Sequence, residues 1–254
     1  MLMPRIIPCL LIHKNGLVKS TNFKNYKYIG DPINAVKIFN EKEVDELIVL
    51  DIDATRNKVK PNFNLIRKIA SECRMPLCYG GGIDSLEDAK KIIRLGVEKI
   101  SLSTAALNDP ILLKKISNEI GSQSVSVTLD IKKNFFGKYE IWQNNGSKNS
   151  KKPLFDFVEE LTSLGVGEII FNSIDKDGTL SGYDISLARK VRPLVRIPIT
   201  FLGGAGSYND MKEMIKEIGV VGLAAGSLFV FKGKYRAVLI NYIDHDQKLE
   251  MFNI

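Results

Sequence analysis

The stretches PLCYGGGI (76–83) and PITFLGGAG (198–206) decide the fold, because each is an apolar run that ends in consecutive glycines. The two glycine clusters lie about 120 residues apart, as expected of an internal repeat. LDIDAT from Leu50 recurs with nearly the same offset as NSIDKDGT from Asn172. The repeat therefore indicates a chain built from two similar halves.

Outward from these stretches, short β-branched runs alternate with longer segments of helical periodicity. Several runs lack polar alternation, as strands of a buried parallel sheet do. Eight strand–helix pairs predict one (β/α)8 barrel, an α/β fold, over residues 1–254 as a single domain. The predicted strands are RIIPCLLI from Arg5, ELIVLDI from Glu46, PLCYGGG from Pro76, KISLST from Lys99, SVSVTLDI from Ser124, EIIFNSI from Glu168, PITFLGG from Pro198 and VGLAAGS from Val221.

Amphipathic segments between the strands predict the outer helices. FNLIRKIASEC from Phe63 is one, and LEDAKKIIRLG from Leu86 is another. Ser85 and Asp88 resemble a capping box at the start of the second, and Gly96 suits its end. These signals indicate where the helix begins and ends.

Two connections are longer than a barrel requires. His13 to Asp31 is polar, without clear periodicity, and we expect a lid that closes over substrate. Lys132 to Lys152 contains KYEIWQ, which predicts a small hairpin. Both follow strand C-termini, where barrels carry functional loops.

The composition predicts the general class of this protein and excludes several kinds of site. Its 254 residues are 44% hydrophobic, enough for one large core. Cys9, Cys73 and Cys78 lack metal-ligand spacing, and with two histidines we expect no metal, no cofactor and no disulfide. The N-terminal apolar run lacks a cleavage site and is too short to span a membrane, so we expect a soluble, cytoplasmic protein.

The net charge of +7 is compatible with an anionic ligand, an acidic partner or nucleic acid. Because the lysines look scattered through helices and not massed with aromatic residues, we favour a solvated surface and expect no nucleic acid or membrane partner.

Glycines at strand ends let the backbone approach a ligand, and exposed N–H groups there bind phosphate. The alternative is that they only permit tight turns. Matched placement in both halves favours phosphate and an elongated ligand with a phosphate at each end. The first cradle comprises Gly81, Gly82, Ser103 and Thr104; the second comprises Gly203, Gly204, Ala225, Gly226 and Ser227.

Carboxylates at the strand ends between the cradles are candidate acids or bases. Asp130 ends the apolar run SVSVTLD, where a buried charge without purpose would be costly, so we predict a functional role for it. Asp51, Asp175 and Asp177 are open to a second interpretation, as loop caps or ligands for ribose hydroxyls.

Several ordered motifs over essentially the whole chain resemble one family. They are RIIPCL at Arg5, GDP at Gly30, DELIVLDI at Asp45, GGGI at Gly80, KISLSTAAL at Lys99, GSQSV at Gly121, SIDKDGTLSGYD at Ser173 and LGGAG at Leu202. The chain resembles the cyclase subunit of imidazole glycerol phosphate synthase. That resemblance implies a barrel that takes ammonia from a glutaminase, in a heterodimer, and uses it to split and cyclise a bis-phosphorylated ribulosyl intermediate.

The resemblance also implies roles for single residues. Lys19 matches the phosphate-contacting lysine of a mobile loop, Asp130 matches one of two catalytic aspartates, and Asp177 and Gly178 fall at the phosphate site. A ring of charges at the opposite end of the barrel, where ammonia enters, is implied as well; simple closure of the barrel floor is the alternative. Its members are Arg5, Glu46, Lys99 and Glu168.

The sequence departs from the family at Leu11, where the resemblance implies the other catalytic aspartate. Leucine cannot transfer a proton, and loss of a general acid removes about 10²- to 10⁴-fold of rate. Asn172 and Leu202 also replace smaller hydroxyl residues, and the stretch GSLFVFKGKYRAVLINY follows the eighth strand. This pattern resembles a paralogous branch associated with surface-polysaccharide or flagellin sugar biosynthesis.

Three functions follow from this comparison. The first, which we favour, is an ammonia-channelling subunit that serves a separate sugar amidotransferase. The second is a working cyclase in which His13 or Asp51 replaces the missing aspartate. The third is a regulatory subunit that only activates a glutaminase.

Overall fold

The computed structural model describes residues 3–252, and it confirms the predicted barrel. Eight strands pair in parallel and in sequence order, and the ring closes because β1 pairs with β8 as well as with β2. The strands are β1 (Arg5–His13), β2 (Leu47–Asp51), β3 (Leu77–Gly80), β4 (Lys99–Leu102), β5 (Val125–Lys133), β6 (Glu168–Ser173), β7 (Ile199–Leu202) and β8 (Gly222–Ala225).

Eight outer helices cover the barrel with their apolar faces. They are α1 (Pro32–Glu41), α2 (Phe63–Glu72), α3 (Leu86–Arg94), α4 (Pro110–Ile120), α5 (Leu154–Ser163), α6 (Ile185–Val191), α7 (Tyr208–Ile218) and α8 (His245–Phe252). The Ser85 side chain accepts a hydrogen bond from the Asp88 backbone at the start of α3, while the Asp88 carboxylate binds Lys60. The full capping box is found at Ser207 and Asp210 of α7 instead.

Two further short helices repeat the half-barrel pattern. Thr104–Asn108 follows β4 and Ser227–Val230 follows β8, so each half has one at the same position. Both begin where the predicted cradles lie, and they were not predicted as helices. Among residues 3–252 no helix has the length and apolar character that crossing a membrane requires.

The connection after β1, where we expect a lid, has regular secondary structure. It forms an antiparallel hairpin of Gly16–Thr21 and Lys24–Gly30, which we call the first hairpin, and Gly16–Thr21 pairs directly with β1. Asn22 and Phe23 form its tip with positive φ, as a tight two-residue turn requires.

The connection after β5 contains the predicted hairpin. Tyr139–Gln143 pairs antiparallel with β5, and Lys148–Asn149 pairs with it in turn. The two hairpins touch, because the Asn145 side chain donates a hydrogen bond of 2.8 Å to the Tyr26 hydroxyl. They form one side of the rim around the barrel's C-terminal end.

Cys9 and Cys78 are buried, whereas Cys73, which follows α2, is half-buried. The lysines are unevenly distributed along the chain. The connections 14–31, 52–62, 134–153 and 226–239 hold 14 of the 36 Lys and Arg residues but 3 of the 29 Asp and Glu residues.

Candidate functional site

A cavity opens at the C-terminal ends of the strands, and we call it the mouth. It brings together every residue that the sequence analysis assigned to phosphate, and Asp130 with them. From those predictions its lining includes Lys19, Gly82, Ser103, Thr104, Asp130, Asp177, Gly178, Gly204, Ala225 and Gly226. The predicted charge ring lies outside this lining, at the opposite end of the strands.

The two cradles share a backbone geometry that suits an anion. Each short helix begins at the mouth, and within the described residues no side chain caps either first turn. Free N–H groups at a helix start attract negative charge. Gly82 (φ +72°) and Gly204 (φ +105°) hold left-handed backbone beside them, which only glycine adopts without strain.

The cradles differ in their side chains. In the first, the Gly82 N–H donates to Thr55 Oγ1 at 3.2 Å, and Thr104 Oγ1 accepts from the Asn144 N–H. In the second, Lys19 lies against Gly226, and Arg236 approaches Ser227 Oγ at 3.4 Å. The second cradle therefore carries more positive charge.

Arg236 was missed by the sequence analysis. It lies in KGKYRAVL, beyond β8, where an arginine resembles any other exposed basic residue until the loop folds back on the short helix. Phe23, Tyr26 and Asn145 were missed as well and cover the mouth from the two hairpins. The aromatic residues of NFKNYKY were the available signal.

Lys19 occupies a strand of the first hairpin, not a loose loop. Its ammonium is buried and donates to the Cys9 carbonyl. Burial lowers the pKa of Lys19, while the negative charge of Asp177 acts in the opposite direction. An anion in the second cradle would stabilise its protonated form.

Asp177 and Asn22 fasten the first hairpin over the mouth. The Asp177 carboxylate accepts from Ser20 Oγ at 2.6 Å and from the Phe23 N–H at 3.1 Å. The Asn22 side chain donates to the Ile174 and Asp175 carbonyls. The carboxylate of Asp177 is thus engaged by the hairpin.

Asp130 is the buried acid at the centre of the mouth. Burial raises the pKa of Asp130 to about 7; the hydrogen bond from Asn172 Nδ2 at 2.8 Å opposes this rise and the charge of Asp177 adds to it. A carboxyl group with this pKa can exchange a proton near neutral pH.

Leu11, the position at which the sequence resemblance implies a second aspartate, lies on the mouth lining. It packs with Leu50 and Leu202 on an apolar cluster inside the barrel. On β5, across the barrel from β1, Asp130 accepts a hydrogen bond from Asn172 of the neighbouring strand β6.

The proposed substitutes for a second acid are placed differently. His13 Nδ1 lies 2.8 Å from Asp53 Oδ1, its ring stacks on Tyr26, and it is not part of the mouth lining. Asp51 does line the mouth. Burial raises the pKa of Asp51, against the hydrogen bonds it accepts from the N–H groups of Asp53 and Ala54.

At the other end of the barrel, four charges form a closed ring. Arg5 binds both Glu46 and Glu168, and Lys99 binds the same two carboxylates at 2.6 and 2.8 Å. Thr200 Oγ1 also donates to Glu168 at 2.5 Å. These residues make up the charge ring.

Between the charge ring and the mouth, most of the barrel interior is apolar, and Ile7, Ile48 and Ile170 belong to this part. Hydroxyl groups lie on β4 and β5, where Ser101 and Thr128 share a hydrogen bond of 2.6 Å. No cluster of His, Cys, Asp and Glu suited to a metal ion occurs among residues 3–252.

Similar proteins point to one family. The family model "Histidine biosynthesis protein" matches residues 5–236. A Leptospira borgpetersenii protein, provisionally named imidazole glycerol phosphate synthase subunit HisF, is 53% identical over 99% of this chain and 100% of its own length. A Vibrio vulnificus protein, provisionally named subunit hisF3, is 51% identical over 98% of this chain and 96% of its own.

A third relative carries the same name without that qualification. The imidazole glycerol phosphate synthase subunit HisF of Streptococcus sanguinis is 38% identical over 90% of this chain and 91% of its own length. Together with the barrel and its mouth, these similarities establish that the chain belongs to the histidine biosynthesis protein family, among the HisF-like cyclase subunits of imidazole glycerol phosphate synthase.

Proposed function

We propose that the barrel accepts ammonia from a glutaminase that docks as a heterodimer partner on its N-terminal end. The charge ring supports an entrance there, since each of its two carboxylates has two cationic partners and keeps one of them when a single ion pair opens. The hydroxyl groups of Ser101 and Thr128 supply hydrogen-bond partners for ammonia between the charge ring and Asp130.

The mouth binds a phosphorylated small molecule in this proposal. The second cradle holds one phosphate through the N–H groups of its short helix, assisted by Lys19 and Arg236. The first cradle holds another through Gly82, Ser103 and Thr104. Asp177, a carboxylate, contributes by fastening the first hairpin, because its own charge would repel phosphate.

The apolar side chain of Leu11 on the mouth lining is the observation that carries the choice of reaction. The resemblance implies that ring closure needs an aspartate at this position as well as Asp130, and leucine cannot take that role. We infer that ammonia leaves the mouth for a separate sugar amidotransferase, in the synthesis of a surface glycan. Asp130 then orients the emerging ammonia by accepting a hydrogen bond from it.

One observation favours the alternative cyclase. Asp51 lines the mouth with a raised pKa, so it is better placed than His13 to replace the missing acid. A cyclase that uses Asp51 would lose its activity in an Asp51→Asn variant.

The deciding experiment supplies the bis-phosphorylated ribulosyl substrate with an ammonium salt. We expect the wild type to form imidazole glycerol phosphate at least about 100-fold more slowly than the Streptococcus sanguinis relative, and Leu11→Asp to regain part of that rate. Leu50→Asp, which adds a carboxylate elsewhere in the mouth, is the matched control. Robust turnover by the wild type would reject the proposal in favour of the cyclase.

A coupled assay separates channelling from regulation. Glutaminase, glutamine, a sugar amidotransferase and its sugar are combined with the barrel. We expect Ser101→Leu, which narrows the interior, to block amide transfer while glutamine hydrolysis continues. Equal product without the barrel, or equal transfer by a folded Ser101→Leu variant, contradicts channelling.

A further inference from the structure

Four of the eight connections at the mouth carry a surplus of positive charge. We call residues 14–31, 52–62, 134–153 and 226–239 the mouth rim. It carries 14 Lys and Arg residues against 3 Asp and Glu residues, so the remainder of the chain is acidic on balance. A phosphorylated ligand inside the mouth accounts for Lys19 and Arg236, but lysines that point into solvent need another explanation.

We call β5 together with Tyr139–Gln143 the second hairpin. The turn that joins these two strands exposes two phenylalanines. Phe135 and Phe136 are 97% and 89% exposed and stack edge to face at 5.6 Å. Asn134 fixes this tip, because its side chain accepts from the Phe136 and Lys138 N–H groups while its own N–H donates to the Lys138 carbonyl. The apolar surface is therefore presented on a preorganised turn, which lowers the entropy cost of binding.

The same arrangement recurs next to the second cradle. Tyr235 is 89% exposed between Lys234 and Arg236, and the Arg236 carbonyl accepts from Lys27 of the first hairpin. Aromatic residues and arginine, here Tyr235 and Arg236, are enriched in protein interfaces. The mouth rim thus combines apolar anchors with one sign of charge.

We propose that the mouth rim is the docking surface for the enzyme that consumes the ammonia, and that this partner presents an acidic surface with an apolar pocket for Phe135 and Phe136. The inference rests on the proposed function. Ammonia that reaches neutral water is protonated and loses its nucleophilic lone pair, so a consumer must cover the mouth to receive it. Charge complementarity speeds the encounter and the phenylalanines supply the affinity.

A protein explains the mouth rim better than an anionic membrane does. A bilayer against the mouth rim would place lipid over the mouth and offer no acceptor for ammonia. Phe135 and Phe136 also sit together on one tip, as a hot spot that fills a partner's pocket does.

The test measures binding of a purified sugar amidotransferase to the complex of barrel and glutaminase. We expect Phe135→Ser with Phe136→Ser to weaken binding at least tenfold, and Lys138→Glu with Lys234→Glu to weaken it more at low salt than at high salt. Ile111→Ser, at an 81% exposed apolar residue on α4, and Lys68→Glu with Lys212→Glu, on α2 and α7, are the matched controls and leave binding within twofold.

Product formation distinguishes the possible failures. The phenylalanine variant should lose glutamine-driven transfer while keeping glutamine hydrolysis, and the amidotransferase should keep its rate with ammonium salt. If the wild type supports transfer and the variant binds and transfers equally well, docking at the mouth rim is rejected and the proposed function survives. If the wild type supports no glutamine-driven transfer, the proposed function itself fails.

Vesicles of phosphatidylcholine with and without phosphatidylglycerol provide the last arm. The proposal would be overturned in favour of a membrane surface by two results together. The wild type would bind the anionic vesicles and the phenylalanine variant would not, while both would bind the amidotransferase equally well. No vesicle binding, with weakened amidotransferase binding by the variant, supports it.

Discussion

Asp130 shows what a single residue in a sequence can and cannot disclose. Its position at the end of an apolar run predicted burial, and the structure places it at 9% exposure among apolar neighbours. Its partner could not be predicted, because Asn172 lies 42 residues away and meets it only when β5 and β6 pair. The alignment of Leu11 with the mouth likewise depends on the register of β1.

The raised pKa of Asp130 predicts a pH-dependent stability. A carboxyl group that ionises near pH 7 in the folded state and near 4 when unfolded binds its proton more tightly when folded, so stability falls as the pH rises from about 4 to 7. Asp130→Asn removes this dependence. Across that pH range its free energy of unfolding should rise relative to that of the wild type by a few kcal/mol. Urea unfolding of both proteins at pH 4.5, 6 and 7.5 measures it, and parallel curves would disprove it.

Glu168 in the charge ring predicts the opposite dependence. Burial alone would raise its pKa, but the charges and hydrogen bonds of Lys99 and Arg5 outweigh burial and hold it at about 2. Glu168→Gln should lower the free energy of unfolding by about 3 kcal/mol at neutral pH. This difference in stability from the wild type should shrink as the pH falls from about 4.5 toward 2. The exposed Glu41→Gln is the control, and denaturant melts at each pH give the difference. An equal cost at pH 2.5 and pH 7 would rule out the ion pairs as its source.

At the scale of elements, the eight barrel strands were predictable because each is a buried apolar run. The first hairpin was not, since Lys24–Gly30 exposes most of its side chains and shows no apolar alternation. Its shape depends on the bonds from Ser20 and Phe23 to Asp177, about 150 residues away in sequence. Because the partners of the hairpin tip are distant in sequence, no pattern within the hairpin's own sequence predicts its shape.

Gly178 predicts how tightly the first hairpin is seated. A Cβ at Gly178 would lie 2.0 Å from the Ser20 carbonyl oxygen, whereas one at Gly233, with a similar positive φ, meets nothing within 4 Å. Gly233→Ala should lower the free energy of unfolding by about 1 kcal/mol, because its backbone is strained with a side chain. Gly178→Ala should lower it by about 1 to 3 kcal/mol more, because of the added steric clash. Hydrogen exchange at residues 20–28 should quicken only in Gly178→Ala. Unchanged exchange there would show that the hairpin adjusts without loosening.

For the whole molecule, the repeat of about 120 residues predicted two halves with one cradle each, and the matched short helices agree with it. The difference in charge between the cradles was not predictable, because Lys19 and Arg236 reach the second cradle from opposite ends of the chain. The mouth rim was missed for the same reason, since its four segments are separate in sequence.

Binding of a bis-phosphorylated sugar should stabilise the whole barrel. At about 100 times the dissociation constant, a ligand adds about 2.7 kcal/mol, which corresponds to about 5–10 °C in melting temperature. Glycerol phosphate at the same concentration should add less, and Arg236→Gln should reduce the gain where Lys212→Gln does not. Scanning calorimetry measures the shift. Equal gains in both variants would exclude the second cradle as a phosphate site.

The seam between β1 and β8 sets a condition on how this chain is made. Residues Arg5–Pro8 of β1 have no partner on the β8 side until residues 222–225 have been synthesised, because Gly16–Thr21 pairs only with Leu11–His13. The seam is then secured by the C-terminal segment, where the Tyr242 hydroxyl donates to the Ile6 carbonyl and Lys248 binds Asp45. A chain emerging from the ribosome therefore keeps this part of its sheet edge open until β8 has been made, and chaperones that shield the edge should raise the yield of folded protein.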